Sequence, residues 1–125
     1  MKKLLVTAFA LLVAGPAFAA DKAILMLNWY VYGEHAPFYY GKEKGIYTKH
    51  GIDIEIQEGR GSAVTTQAVG AKTADFGYVD VPTMMRAAVK GAPVISVGVA
   101  LQTSPMAAMG FVDKNIKKPA DIKGK

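Results

Sequence analysis

The chain has 125 residues, 51% of them apolar, 20% charged and 10% aromatic, a globular composition that excludes disordered, collagen-like and mucin-like proteins. Beyond a leader that carries Lys2 and Lys3, 13 basic and 10 acidic residues leave a net charge of +3. Lys44, Lys49, Lys72 and Lys90 are scattered and only Lys117-Lys118 is a pair, too little for a phosphate-tracking surface, so no nucleic-acid partner is expected. The absence of cysteine removes disulfide frameworks, thiolate nucleophiles, cysteine zinc sites and iron–sulfur clusters from this segment.

Residues 1–19 carry a basic start, an apolar core from Leu4 to Val13, the helix-breaking Gly15-Pro16 and the small-residue box Ala17-Phe18-Ala19. This is the pattern of a secretory signal peptide cleaved after Ala19. Its apolar core is about ten residues, short of the roughly 20 that a membrane span needs. With no cysteine at the cleavage site to carry lipid, the expected product is soluble in the periplasm and is not a lipoprotein.

The apolar run Ala23 to Leu27 predicts a strand buried on both faces. Pro37 opens a helix that Gly45 ends; Ile52, Ile54 and Ile56 then alternate with Asp53, Glu55 and Gln57 as a strand with a polar face, expected near an edge. After the turn Gly59-Arg60-Gly61, Ser62 reads as a helix N-cap, with Val64, Ala68 and Ala71 at helical spacing. Asp75 to Val79 is a third strand, Thr83 to Lys90 a third helix, and Val94 to Val99 a fourth strand. Strands alternating with helices predict an α/β fold, an open and mainly parallel sheet with helices on both faces. The expected organisation is a first α/β lobe at 20–105 and a crossover or hinge at 106–125, polar and unfinished, where a second lobe would begin.

Ligands of an open parallel sheet bind beyond the carboxyl ends of its strands. That rule selects Trp29 to His35, Gly59 to Ser62, Asp80-Val81 and Gln102 to Ser104. The first loop offers aromatic walls in Trp29 and Tyr32, the carboxylate of Glu34 and the imidazole of His35, suited to a planar heteroaromatic ligand. The alternative is core packing plus a helix cap. Arg60, Gly61 and Ser62 offer a guanidinium and backbone N–H groups for an oxyanion or carbonyl, or an ordinary N-cap turn. Asp80 could accept from a ligand amine or cap the third helix. Gln102 completes the expected ligand-binding set. No nucleophile elbow, His-Glu-x-x-His helix or acidic metal loop is present, so no catalytic residue, metal site or cofactor is expected.

Leu27-Asn28-Trp29, His35, Pro37-Phe38-Tyr39 and Lys42-Glu43-Lys44-Gly45-Ile46-Tyr47 together resemble the opening of the periplasmic solute-binding proteins related to thiamine-pyrimidine synthase. His50-Gly51-Ile52-Asp53-Ile54-Glu55, Gly61-Ser62, Ala74-Asp75-Phe76-Gly77, Gln102-Thr103-Ser104-Pro105 and Ile116 to Lys125 continue the likeness in order. The resemblance implies a type II periplasmic-binding-protein lobe whose second lobe is missing from this N-terminal fragment. It further implies a non-enzymatic, monomeric substrate-binding subunit that captures a small solute, a thiamine-precursor-like pyrimidine first, and delivers it to an inner-membrane ABC permease. Between Trp29 and His35 the chain departs from the thiamine-precursor pattern, with Tyr30-Val31-Tyr32-Gly33-Glu34 where Pro-Asn is usual. Arg60 keeps aliphatic sulfonates, taurine and nitrate as alternatives. The same resemblance reaches pyrimidine synthases, a second class against which the export signal argues.

Overall fold

The computed structural model describes residues 19–124. The signal-peptide pattern, Ala19 apart, lies outside them. Strand β1 (Asp21–Met26) forms from the first apolar run and sits between β2 (Ile52–Gln57) and β3 (Phe76–Gly77) in a three-stranded sheet. Both pairings are parallel, with Ala23 opposite Ile54 and Leu25 opposite Ile56 on one side and Leu25 opposite Phe76 on the other. A parallel strand in the middle of a sheet is covered on both faces, so β1 shows no polar alternation, whereas edge strand β2 does.

Helix α1 (Ala36–Glu43) and the single turn α2 (Ile46–Lys49) connect β1 to β2, α3 (Ser62–Gly70) connects β2 to β3, and α4 (Val81–Val89) follows. Gly45, at φ 66°, reverses the chain between α1 and α2 in the left-handed region that glycine enters without strain. The two faces of the sheet are dressed differently. Leu25, Leu27 and Ile54 bury on one face against Phe38 of α1, Tyr47 of α2 and Tyr78. On the other face, Gly77 leaves the space taken by α3: the methyl carbons of Thr65 and Val69 lie 3.0 Å from where its Cβ would be. Helices therefore cover both faces, as the alternation of elements predicts.

Strand β3 is shorter than its sequence suggests because side chain replaces ladder at its start. Ile24 N–H donates to the carboxylate of Asp75 at 2.8 Å, while Asp75 N–H and Tyr78 N–H donate to the carbonyls of Ile24 and Met26 at 3.0 and 2.9 Å. The expected fourth strand does not form. Val94 N–H turns back to the Ala92 carbonyl at 2.8 Å, and Ile95, Val97 and Val99 are exposed. A strand exists only through its neighbour's hydrogen bonds, and β3 presents two residues of ladder. The residues through Ile95 form one unit and Ser96–Lys125 another. The second carries two short 3-10 turns, Val112–Lys114 and Pro119–Ile122, with the Asp121 carboxylate accepting from the Lys117 and Lys118 N–H groups at 2.9 and 3.1 Å.

At its carboxyl end β1 is held by a buried contact. The Leu27 N–H donates to the Gln57 carbonyl at 2.8 Å, and the Leu27 carbonyl accepts from the Thr65 hydroxyl at 2.7 Å, with both residues fully buried. Gly59 makes the approach possible, since a Cβ there would lie 1.8 Å from the Leu27 oxygen. Thr65→Val keeps the shape and removes the donor, and should lower stability by about 1–3 kcal/mol through the unsatisfied carbonyl. Gly59→Ala should cost about 3 kcal/mol or more. Urea midpoints at unchanged m would measure both.

Candidate functional site

The loops that follow β1, β2 and β3 meet at the carboxyl edge of the sheet, where the chain leaves its ladders and polar groups become available. Backbone bonds give the first of these loops a set shape. Gly61 N–H donates to the Asn28 carbonyl at 2.8 Å and Gly59 N–H to the Trp29 carbonyl at 3.3 Å. Val31 N–H donates to the Glu58 carboxylate at 2.9 Å, so the β1 and β2 loops are stitched together. The stitching leaves Trp29, Tyr30, Val31 and Tyr32 about half exposed, an aromatic wall rather than a core.

Beneath the wall, His35 is fully buried and held in one tautomer. Tyr32 N–H points at its Nδ1 at 3.4 Å, which makes Nδ1 the acceptor, and Nε2 lies 2.7 Å from the Asn28 carboxamide oxygen, which can only accept from it. The proton therefore sits on Nε2. Burial pushes the imidazole pKa below its ordinary value, against a weaker upward pull from Glu34 and Glu58. The rings of Tyr32 and Tyr78 pack edge-on to His35, with centroids at 4.4 and 5.7 Å, and Phe38 meets Tyr78 at 5.1 Å.

Glu34 links the tyrosines. Tyr32 donates to its Oε2 at 2.8 Å and Tyr78 donates to its Oε1. Burial first and the Glu34 hydrogen bond second raise both phenol pKa values, so each hydroxyl stays protonated and donating.

Of the residues expected to bind ligand, Trp29, Tyr32, His35, Arg60, Gly61 and Asp80 lie on these three loops and Ser62 opens α3 directly after the second. The Trp29 ring lies beside Gly61, 4.0 Å from where a Cβ would be, and it is the φ of 118° that requires glycine there. Arg60 places its guanidinium 3.9 Å over the Tyr30 ring, 3.7 Å from Glu58, and donates to the Gly59 carbonyl. Gly61, not Ser62, occupies the N-cap position of α3, and the Ser62 hydroxyl instead accepts from Asp80 N–H at 3.0 Å. Asp80 caps α4, accepting from the N–H and hydroxyl of Thr83 at 3.1 and 2.6 Å. Gln102 lies exposed in the second unit. Asn28, Glu58 and Tyr78 belong to the cluster and were not singled out by the sequence.

The arrangement can stack a flat ring on an aromatic wall and offer it a carboxylate. Among the described residues, no group of three or more His, Cys, Asp or Glu is placed to hold a metal ion, and no helix is long and apolar enough to cross a membrane.

A family profile described as "NMT1/THI5 like" matches residues 33–125. The chain belongs to that family. A Haemophilus influenzae protein named for thiamine biosynthesis is 32% identical over 88% of this chain and 35% of its own length. A Legionella pneumophila 4-amino-5-hydroxymethyl-2-methylpyrimidine phosphate synthase is 32% identical over 84% of this chain and 33% of its own. A synthase of the same name from Schizosaccharomyces pombe is 26% identical, over 86% and 31% respectively. The chain thus spans about a third of the length of these relatives. No solved structure matches significantly. The expectation of a non-enzymatic protein is corrected by these relatives, since the Legionella pneumophila and Schizosaccharomyces pombe proteins carry the name of an enzyme.

The His35 pKa carries a stability consequence with a definite sign. A histidine whose folded pKa lies below its unfolded value of about 6.5 binds more protons unfolded, so stability is full above that pH and falls as pH drops below it. Thermal melts between pH 7.5 and 5.5 should show this loss, and His35→Gln should flatten it.

Proposed function

We propose that this chain forms the pyrimidine-recognising part of a protein of thiamine-pyrimidine metabolism. The observation that carries the reading is the exposed aromatic wall of Trp29, Tyr30 and Tyr32, standing over a carboxylate held by two phenols and a histidine of defined tautomer. A flat ring stacks on such a wall, and polar groups at its base orient the ring. The anion alternative finds less support. Arg60 is already engaged by Tyr30 and Glu58, Gly61 N–H by the Asn28 carbonyl, and the Ser62 hydroxyl by Asp80 N–H.

The names of the relatives support synthesis of 4-amino-5-hydroxymethyl-2-methylpyrimidine phosphate as the activity to assay. A second reading rests on the leader pattern Lys2 to Ala19: a monomer exported to the periplasm that passes the same ring to an inner-membrane ABC permease. Both readings place the ring on the same residues.

Calorimetric titration of the purified protein should show binding of 4-amino-5-hydroxymethyl-2-methylpyrimidine, and none of taurine or nitrate. The reverse order would overturn the pyrimidine reading. Trp29→Ala should weaken binding about tenfold or more, the loss of one ring-stacking contact. Cell fractionation with N-terminal sequencing separates the two roles: a periplasmic product beginning at Ala20 favours delivery, and an intact Met1 in the cytoplasm favours synthesis.

A further inference from the structure

Glu34 is a half-buried carboxylate, and among the described residues it forms no ion pair. Its partners are two neutral hydroxyls, Tyr32 and Tyr78, one on each oxygen. Arg60, the cation of the β2 loop, is turned onto Tyr30 and Glu58, and the adjacent imidazole of His35 is held neutral by its two hydrogen bonds. A carboxylate has about four acceptor positions, and the tyrosines use two. Taking a charge partly out of water is costly unless it is hydrogen-bonded or paired, and here the described residues supply the bonds but no opposite charge.

The geometry points to Glu34 as the residue that reads the ligand: its free lone pairs accept N–H from an amino-substituted heterocycle and repel the oxo counterpart of the same ring. This assignment rests on the pyrimidine reading and adds to it the edge chemistry of the ring. Tyr32 and Tyr78 are then positioning residues, aiming the carboxylate without touching the ligand's amine. An oxo group would bring its own lone pairs against the anion, whereas an amine completes the shell that the protein leaves open.

The test compares two rings by calorimetry, 4-amino-5-hydroxymethyl-2-methylpyrimidine and its 4-oxo analogue, in the wild type, Glu34→Gln and the double variant Tyr32→Phe/Tyr78→Phe. The wild type should prefer the amine by about 10- to 100-fold, the scale of a charge-assisted hydrogen bond. Glu34→Gln should bring the ratio close to one, because an amide presents an acceptor and a donor alike. The double tyrosine variant should bind both rings more weakly and keep the preference, since the carboxylate remains; a purely structural Glu34 would leave the ratio of Glu34→Gln at the wild-type value. Near-UV circular dichroism checks that each variant is folded, and the wild-type ratio needs no variant at all. Equal binding of the two rings by the wild type overturns the assignment alone, as does a folded Glu34→Gln that keeps the wild-type ratio. Binding of neither ring overturns the pyrimidine reading with it.

Discussion

One buried hydrogen bond, from the Thr65 hydroxyl to the Leu27 carbonyl, fixes where the central strand ends and where the site begins. Up to Met26 the backbone of β1 is paired with β2, and at Leu25 and Met26 with β3 as well, and a carbonyl left alone just beyond the ladder would be buried and unsatisfied. Thr65 meets it from α3, which brings that helix against the end of the strand. Gly59 must lack a side chain for the two to approach, so a single contact joins β1, the β2 loop and α3. The loops beyond it inherit their positions from that junction.

The site is accordingly a rim of side chains on a well-tied backbone. Asn28, Trp29 and Val31 are each bonded to the segment that follows β2, and Tyr78 reaches Glu34 from the end of β3. The aromatic groups stay exposed because the backbone under them is already satisfied and, among the described residues, no other element of the first unit covers them. Preorganisation of this kind lowers the ordering cost of holding a ligand.

Much of this was legible in the chain. Continuous against alternating apolar patterns separated the central strand from the edge strand. The rule that ligands gather at the carboxyl ends of parallel strands chose four loops, of which the three after β1, β2 and β3 do come together, whereas Gln102 to Ser104 follows a strand that does not form and lies in the second unit. Asp80 followed by Val81-Pro82 reads as a cap before a helix, and it is one. Other features were hidden for physical reasons. In Gly-Ser-Ala the cap position shifts by one residue according to which takes the unusual φ, and only the backbone shows that Gly61 does. Tyr78 looks like a strand residue, and its role depends on a carboxylate 44 residues away. Val94 to Val99 has the composition of a strand, but composition does not supply the neighbour that makes one.

The brevity of β3 bears on how the site breathes. Strands β1 and β2 are paired over six residues, whereas β3 is tied by two ladder positions, two flanking backbone bonds and the Asp75 carboxylate. Opening free energies within a fold follow such differences, and the segment with the fewest buried contacts and bonds parts first. When β3 opens it takes Tyr78 with it, and Glu34 loses one of the two hydroxyls that aim it. Amide exchange would then be fast along β3 and slow along β1, so the loop after β1 keeps its shape while the carboxylate on it is held by Tyr32 alone. The order of the binding rim is thus set by the stability of its most weakly tied strand, and a ligand that bridges Glu34 and Tyr78 would slow exchange across the whole of β3.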